Sequence, residues 1–179
     1  MSVVIHTLGA EQAVRERSGL VALLRDAVDS GASVGFLPPL AESEGEAYWR
    51  GVVDAVRDGS CVLLGAREAN GALVGTAQLL LAMRPNGSHR AEVAKVIVHT
   101  KARRRGIGRA LMLALEERAR QLGRTTLVLD TRRGDPSEQL YTSVGYTLAG
   151  VIPHYARSAN GVLDPSAFYY RVLIEGGQP

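Results

Sequence analysis

The stretch from Ala91 to Leu122 joins a buried strand to an amphipathic helix through a basic, glycine-containing turn, and that succession limits the folds open to the chain. Val93, Val96, Ile97 and Val98 form a β-branched run, with Ala91, Ala94 and a single lysine mixed in. Ile107, Ala110, Leu111, Ala114, Leu115, Ala119 and Leu122 then recur at helical spacing, and Gly123 follows as a stop. Lys101, Arg103, Arg104, Arg105, Gly106 and Gly108 lie between the two elements.

A helix start leaves backbone N–H groups unpaired and carries the positive end of the helix dipole, so an anion placed there gains hydrogen bonds and favourable electrostatics together. Gly106 and Gly108 have no Cβ to hold a phosphate away, and the arginines offer forked donors for its oxygens. The turn therefore reads as a polyphosphate site; a solvated basic turn capping an ordinary helix is the plainer alternative.

At 179 residues, with 46% hydrophobic and 22% charged side chains, the chain has the profile of one folded domain over residues 1–175, with 176–179 as a loose tail. Five of its 21 basic side chains fall between Lys101 and Arg109, so the net charge of +3 is a local excess. Aromatic residues make up 5% and none lies in the basic stretch, which argues against nucleic acid and for a compact anionic cofactor. The single cysteine, Cys61, cannot form an internal disulfide, and no cysteine–histidine spacing suggests a metal site. The N-terminus lacks the pattern of a signal peptide, and the uncharged run Ala69 to Met83 is shorter than the ~20 residues a membrane span requires. The expectation is a soluble cytoplasmic protein, monomer or homodimer, without membrane partners.

In chain order, residues 2–8 read as a first strand, and Ala13, Leu20, Leu23, Leu24, Ala27 and Val28 mark one helix face. Residues 31–40 read as a loop. A second helix starts near Ala41, buries Trp49, Val52, Val53 and Val56, and closes at Asp58-Gly59. Two apolar runs flank the hairpin signal Asn70-Gly71, and Asn86-Gly87 turns the chain into the central strand. Thr126 to Asp130 reads as a strand parallel to that one, with the helix as a right-handed crossover. A short helix over 136–143, a strand from Tyr146 to Val151, a loop over 153–166 and a closing strand from Phe168 to Leu173 complete an α+β pattern.

Arg103-Arg104-Arg105-Gly106-Ile107-Gly108, set between strand and helix, resembles the (Q/R)-x-x-G-x-(G/A) signature of the GNAT acetyltransferases. The resemblance implies the GNAT fold, a mixed, mostly antiparallel twisted sheet of about six to seven strands flanked by about four helices. It also implies acetyl-coenzyme A as co-substrate, with no metal. Its pyrophosphate would lie on Arg103, Arg104, Arg105, Gly106, Ile107 and Gly108, with Arg109 and Ala110 continuing the contact. Val96, Ile97 and Val98 would line it through main-chain groups around a strand bulge mapped to Ile97 and Val98, and the N–H of Val98 would face the oxyanion. In SEQLYTSVGY, Tyr141 matches the tyrosine that protonates the cofactor sulfur, four residues before Gly145. The asparagine common seven residues before that tyrosine is Gly134 here, so that contact is either lost or supplied by Ser137.

Two carboxylates complete the expected chemistry. Glu92 opens an apolar strand where a carboxylate is unexpected; it reads either as the base that takes the amine proton, directly or through water, or as a strand-edge partner of Arg90. Asp130, which ends the parallel strand as read, is taken as a group that binds the acceptor ammonium or assists Glu92, or as a turn cap. GASVGF at 31–36, AEV at 91–93, LDT at 129–131 and the segment from Ile152 to Tyr169 are similar to the tabtoxin-resistance acetyltransferases, which acetylate a β-lactam dipeptide toxin. Phe36, Trp49, Asp130 and Tyr155, with His154, are the substrate-pocket candidates.

Other readings compete. A dinucleotide fold would use Gly106, Gly108 and Asp130, but Leu111 holds its third-glycine position and the basic segment is too long for its tight turn. A non-catalytic acyl-coenzyme A-binding regulatory module would retain the turn and lose Glu92 and Tyr141. An enzyme acting on a peptide or protein amine shares every motif with one acting on a small-molecule amine.

Overall fold

In the computed structural model, which describes residues 3–173, a seven-stranded sheet runs in the order β1-β2-β3-β4-β5-β7-β6. Its strands are β1 (Val4–Thr7), β2 (Cys61–Arg67), β3 (Leu73–Leu81), β4 (Arg90–Val98), β5 (Thr126–Arg132), β6 (Thr147–Arg157) and β7 (Leu163–Val172). Five helices accompany it: α1 (Ala10–Arg15), α2 (Arg17–Asp29), α3 (Glu42–Arg57), α4 (Ile107–Gln121) and α5 (Ser137–Ser143). Among these strands β4 and β5 form the one parallel pair, joined by α4 as a crossover.

The alternation of a strand buried on both faces divides the core in two. From β2, Val62, Leu64 and Ala66 join Ile107, Leu111 and Leu115 of α4, whereas Cys61 and Leu63 join Leu20, Leu24, Trp49 and Val53 of α2 and α3. Helices thus cover both faces of β2 to β4. The Asn70-Gly71 turn forms as read: Gly71 adopts φ +85°, and the Ala72 N–H donates to Asn70 Oδ1 at 3.0 Å.

Three expectations shift. The helix read through Ala13 to Val28 is interrupted at Glu16, which separates α1 from α2; the Glu16 carboxylate pairs with Arg67 at 2.6 Å at the end of β2. The loop read over 153–166 is mostly hairpin, since β6 extends to Arg157 and β7 begins at Leu163, with the turn closed by Ser158 N–H donating to Val162 O at 2.8 Å. Nearly every residue of β6 is exposed, so that strand writes no burial alternation into the sequence. Pro136 caps α5 rather than opening its first turn. The segment 176–179 lies outside the described residues.

Candidate active site

β4 and β5 pair at three positions only, Arg90 with Thr126, Ala91 with Leu127 and Glu92 with Val128, and then part. A second irregularity lies on the other side of β4. Gln78 pairs with Ala94 and Thr76 with Ile97, so Lys95 and Val96 stand opposite Ala77 alone, and Lys95 takes φ +49°. The bulge expected at Ile97 and Val98 therefore sits at Lys95 and Val96. Between the parted strands opens a cleft of about 880 Å³.

The far end of β4 presents main chain to this cleft. His99 N–H donates to Val74 O at 2.8 Å, and in an antiparallel pair bonding alternates, so Val98, opposite Gly75, turns its own N–H and C=O away from β3. Arg103 Nε donates to the Val98 carbonyl at 3.1 Å while its other arm donates to Ser30 Oγ at 2.8 Å. Asp26 of α2 takes the N–H and hydroxyl of Thr100 at 2.8 and 2.7 Å. These bonds fasten the turn after β4 to α2.

The start of α4 supplies the anion-binding geometry. Gly106 caps the helix at φ +78°, no side chain caps it, and a Cβ at Gly106 would meet nothing within 4 Å. The first amide taken by the helix is Ala110 N–H, by Gly106 O at 3.0 Å, so the amides of Ile107, Gly108 and Arg109 precede the ladder and are free for an anion. Ile107, Gly108 and Arg109 line the cleft; Ala110 does not. The arginines divide by duty. Arg104, at φ +63°, lines the cleft with no side-chain partner among the described residues; Arg109 lines it and donates to Ser143 O at 3.0 Å; Arg105 is turned away, paired with Glu68 at 2.6 Å. A polyphosphate fits here by position and charge.

Acid–base residues gather along the same space. Glu92 opens on the cleft, with no ion pair to Arg90 among the described residues, and Asp130 faces it from β5. Desolvation by the cleft walls, then the charge of Asp130, pushes the Glu92 carboxyl above its usual range, against Lys95 and Arg90. Tyr141 of α5 lines the cleft at 8% exposure, and its hydroxyl has no hydrogen-bond partner among the described residues. Burial first, then the charges of Asp130 and Asp135, raises its pKa, so it holds its proton. Ser137 also lines the cleft and shares a 2.7 Å hydrogen bond with Thr131 Oγ1, while the Gly134 N–H is spent on Glu138 at 2.7 Å. Among the described residues no group of His, Cys, Asp and Glu side chains could hold a metal ion, and no helix is long and apolar enough to cross a membrane.

The substrate-pocket candidates separate. Tyr155 lines the cleft, its ring edge-on to Phe168 at 5.2 Å, and Asp130 lines it too. Trp49 is at 0% exposure in the α2–α3 core and does not reach it. Phe36 packs edge-on against Tyr48 at 5.3 Å, beside a smaller hollow, and His154 is exposed on the β6 bulge at φ +51°. Sequence reasoning passed over Lys95 and Arg132, both in the cleft wall. Arg132 ties Asp135, Ser158 Oγ and Gly31 O together at 3.0, 3.1 and 3.0 Å, closing the wall between loop 31–35 and the β6–β7 turn. Lys95 had a signal, a lone charge inside the apolar run of β4.

Comparison with known proteins gives this geometry a context. Residues 22–146 match the acetyltransferase (GNAT) family. The chain is 35% identical over 117 residues to an uncharacterized N-acetyltransferase from the hisH-hisA intergenic region of Azospirillum brasilense, covering 63% of this chain and 67% of that protein. It is similar in structure to the ribosomal-protein-alanine N-acetyltransferase of Brucella melitensis, with 25% identity, TM-score 0.79 and 95% and 99% of the two chains covered. A phosphinothricin acetyltransferase of Sinorhizobium meliloti, solved in complex with acetyl-coenzyme A, superposes with TM-score 0.82 at 23% identity over 98% and 91% of the chains.

Proposed function

The chain belongs to the GNAT acetyltransferase family and is an acetyl-coenzyme A-dependent N-acetyltransferase, and we propose that its acceptor is the amine of a small molecule. The observation that carries the reading is the continuity of one cleft from the free amides of α4, past the Val98 N–H and Tyr141, to the facing carboxylates Glu92 and Asp130. Donor, reacting carbonyl and acceptor amine have adjoining places in it.

Acetyl-coenzyme A supplies the acetyl group as a thioester. On this reading the N-terminus of α4, Arg104 and Arg109 hold its phosphates, and Val96, Val98 and Ser137 line the arm. Glu92, its basicity raised by the cleft, takes the amine proton, directly or through water, while Asp130 orients the ammonium beforehand. The Val98 N–H, fixed by the Arg103 bond to its own carbonyl, faces the carbonyl oxygen as negative charge develops. Tyr141, protonated and without another partner among the described residues, returns a proton to the departing sulfur.

Residues 1–175 then act as one catalytic domain in the cytoplasm, as monomer or homodimer. A toxin or antibiotic such as a β-lactam dipeptide is the acceptor that the resemblance at 31–36, 91–93 and 129–131 favours, and the phosphinothricin acetyltransferase is a neighbour whose name also specifies a small molecule. The ribosomal-protein-alanine enzyme favours a second reading, a protein amine. Thiol release from acetyl-coenzyme A over a panel of amines, amino acids, dipeptides, β-lactam dipeptides and protein N-terminal peptides tests both. Release with small acceptors is the expected result; release with peptides alone transfers the assignment to the second reading, and release with none rejects the first.

A further inference from the structure

We propose that Lys95 forms a carboxylate subsite, so that the acceptor is a zwitterion with an acid group beside the amine that is acetylated. The inference rests on the reading of the Glu92–Asp130 end of the cleft as the acceptor end.

The β4 bulge fixes Lys95 in an unusual backbone state. A left-handed φ of +49° is costly for a side chain such as lysine, by roughly 1 kcal/mol, and such strain persists where the surrounding structure enforces it. On the cleft wall its ammonium lies 5.5 Å from the centroid of the Tyr48 ring. That ring is a built platform: Phe36 and Trp49 meet it edge-on at 5.3 and 5.1 Å, and Gln78 exchanges hydrogen bonds with its hydroxyl at 3.0 and 2.9 Å. Gly35 leaves room on the loop side, where even a Cβ would come within 3.6 Å of Lys95 Nζ.

No ion pair or hydrogen bond joins Lys95 to Glu92, Asp130 or any other described residue, although both carboxylates share its cleft. The remaining cations of the wall are placed otherwise. Arg132 is spent on Asp135, Ser158 and Gly31, Arg103 on Val98 and Ser30, and Arg104 and Arg109 stand at the start of α4. An ammonium held apart from two carboxylates matches a ligand with the opposite arrangement: its ammonium toward Glu92 and Asp130, its carboxylate toward Lys95. Free amino acids and short dipeptides have that chemistry; simple amines and protein amines far from a C-terminus do not.

The test compares each amino acid or dipeptide acceptor with its C-terminal amide, measuring kcat/KM by thiol release in the wild type, Lys95→Asn and Lys95→Arg. Asparagine tolerates positive φ and keeps the bulge. The amide's less basic amine shifts the acid-to-amide ratio of all three enzymes equally, so it cancels when one enzyme's ratio is divided by another's. Lys95→Asn is expected to lower the acid-to-amide ratio by roughly ten- to a hundredfold relative to the wild type, mainly through the KM of the acid, and Lys95→Arg to restore it. A Lys95→Asn variant that keeps the wild-type ratio overturns the proposal while leaving small-molecule N-acetylation standing. Absence of thiol release with every acceptor, with cofactor binding intact by calorimetry, removes the small-molecule reading and the subsite together.

Discussion

Replacing Tyr141 by Phe separates two roles that a buried tyrosine can have. Its ring is 8% exposed, within contact of the Tyr146 and Tyr169 rings, and its hydroxyl has no protein partner among the described residues. That hydroxyl is not sealed from solvent, since it opens on the cleft, so deleting it should change stability by no more than about 0.5 kcal/mol. For a chain of this size that corresponds to a shift in melting temperature of about 2 °C at most. Catalysis should respond far more. A positioned general acid contributes about a hundredfold to ten-thousandfold, so Tyr141→Phe should lower kcat by at least about a hundredfold, or about 2.7 kcal/mol of barrier, with acetyl-coenzyme A affinity nearly unchanged. Thermal melting and thiol release at saturating cofactor measure both terms on one preparation. A kcat within about threefold of the wild type would refute the acid role, and a fall in melting temperature of more than about 4 °C would show that the hydroxyl also holds the fold.

Glu92→Gln should abolish the rise of kcat/KM with pH, which in the wild type has its midpoint above the usual carboxylate range because burial and Asp130 raise that group; a pH profile of thiol release decides. The sign for stability is the reverse of an ion-paired acid: a raised folded pKa costs stability as pH climbs through it, so Glu92→Gln should melt higher than the wild type near neutral pH and equal to it in acid. Gly106→Ala meets open space but must hold φ +78°, so it should lose about 1 kcal/mol of stability and, with its Cβ projecting before the α4 amides, about tenfold in cofactor affinity by calorimetry. Arg171→Met strands Glu116, whose side chain is 2% exposed and bonded to that arginine at 2.9 Å, and should cost about 3–5 kcal/mol by denaturant melting. Burial already raises the Glu116 pKa, so that loss should shrink at acid pH.

Much of this was legible in the residues because local chemistry and tertiary position agree there. The β-branched run of β4, the glycines opening α4 and the Asn-Gly turn between β2 and β3 are each dictated by short-range sterics, so their element boundaries fall within a residue or two of those read. The hairpin of β6 and β7 was not legible past Val151, since an edge strand wet on both faces has no hydrophobic period to betray it. The interruption at Glu16 was not legible either, since no glycine or proline marks that position in the sequence. The candidate site divides similarly. Glu92, Asp130 and Tyr141 converge on one cleft, whereas Trp49, an aromatic at helical spacing, is core, and Lys95 turns toward the cleft because of a bulge that shifts strand parity by one residue.

The three-position pairing of β4 with β5 has a thermodynamic consequence of its own. It leaves the sheet as two parts, β1 to β4 and β5 with β7 and β6, with few main-chain bonds across the seam. A ligand lying in that seam touches both parts and supplies cross-links that the chain omits. Any molecule that binds only the folded state adds RT ln(1 + [L]/Kd), about 2.7 kcal/mol at a hundred times Kd. If acetyl-coenzyme A lies there as proposed, the parted strands are held together once it binds, and the melting temperature should rise with its concentration.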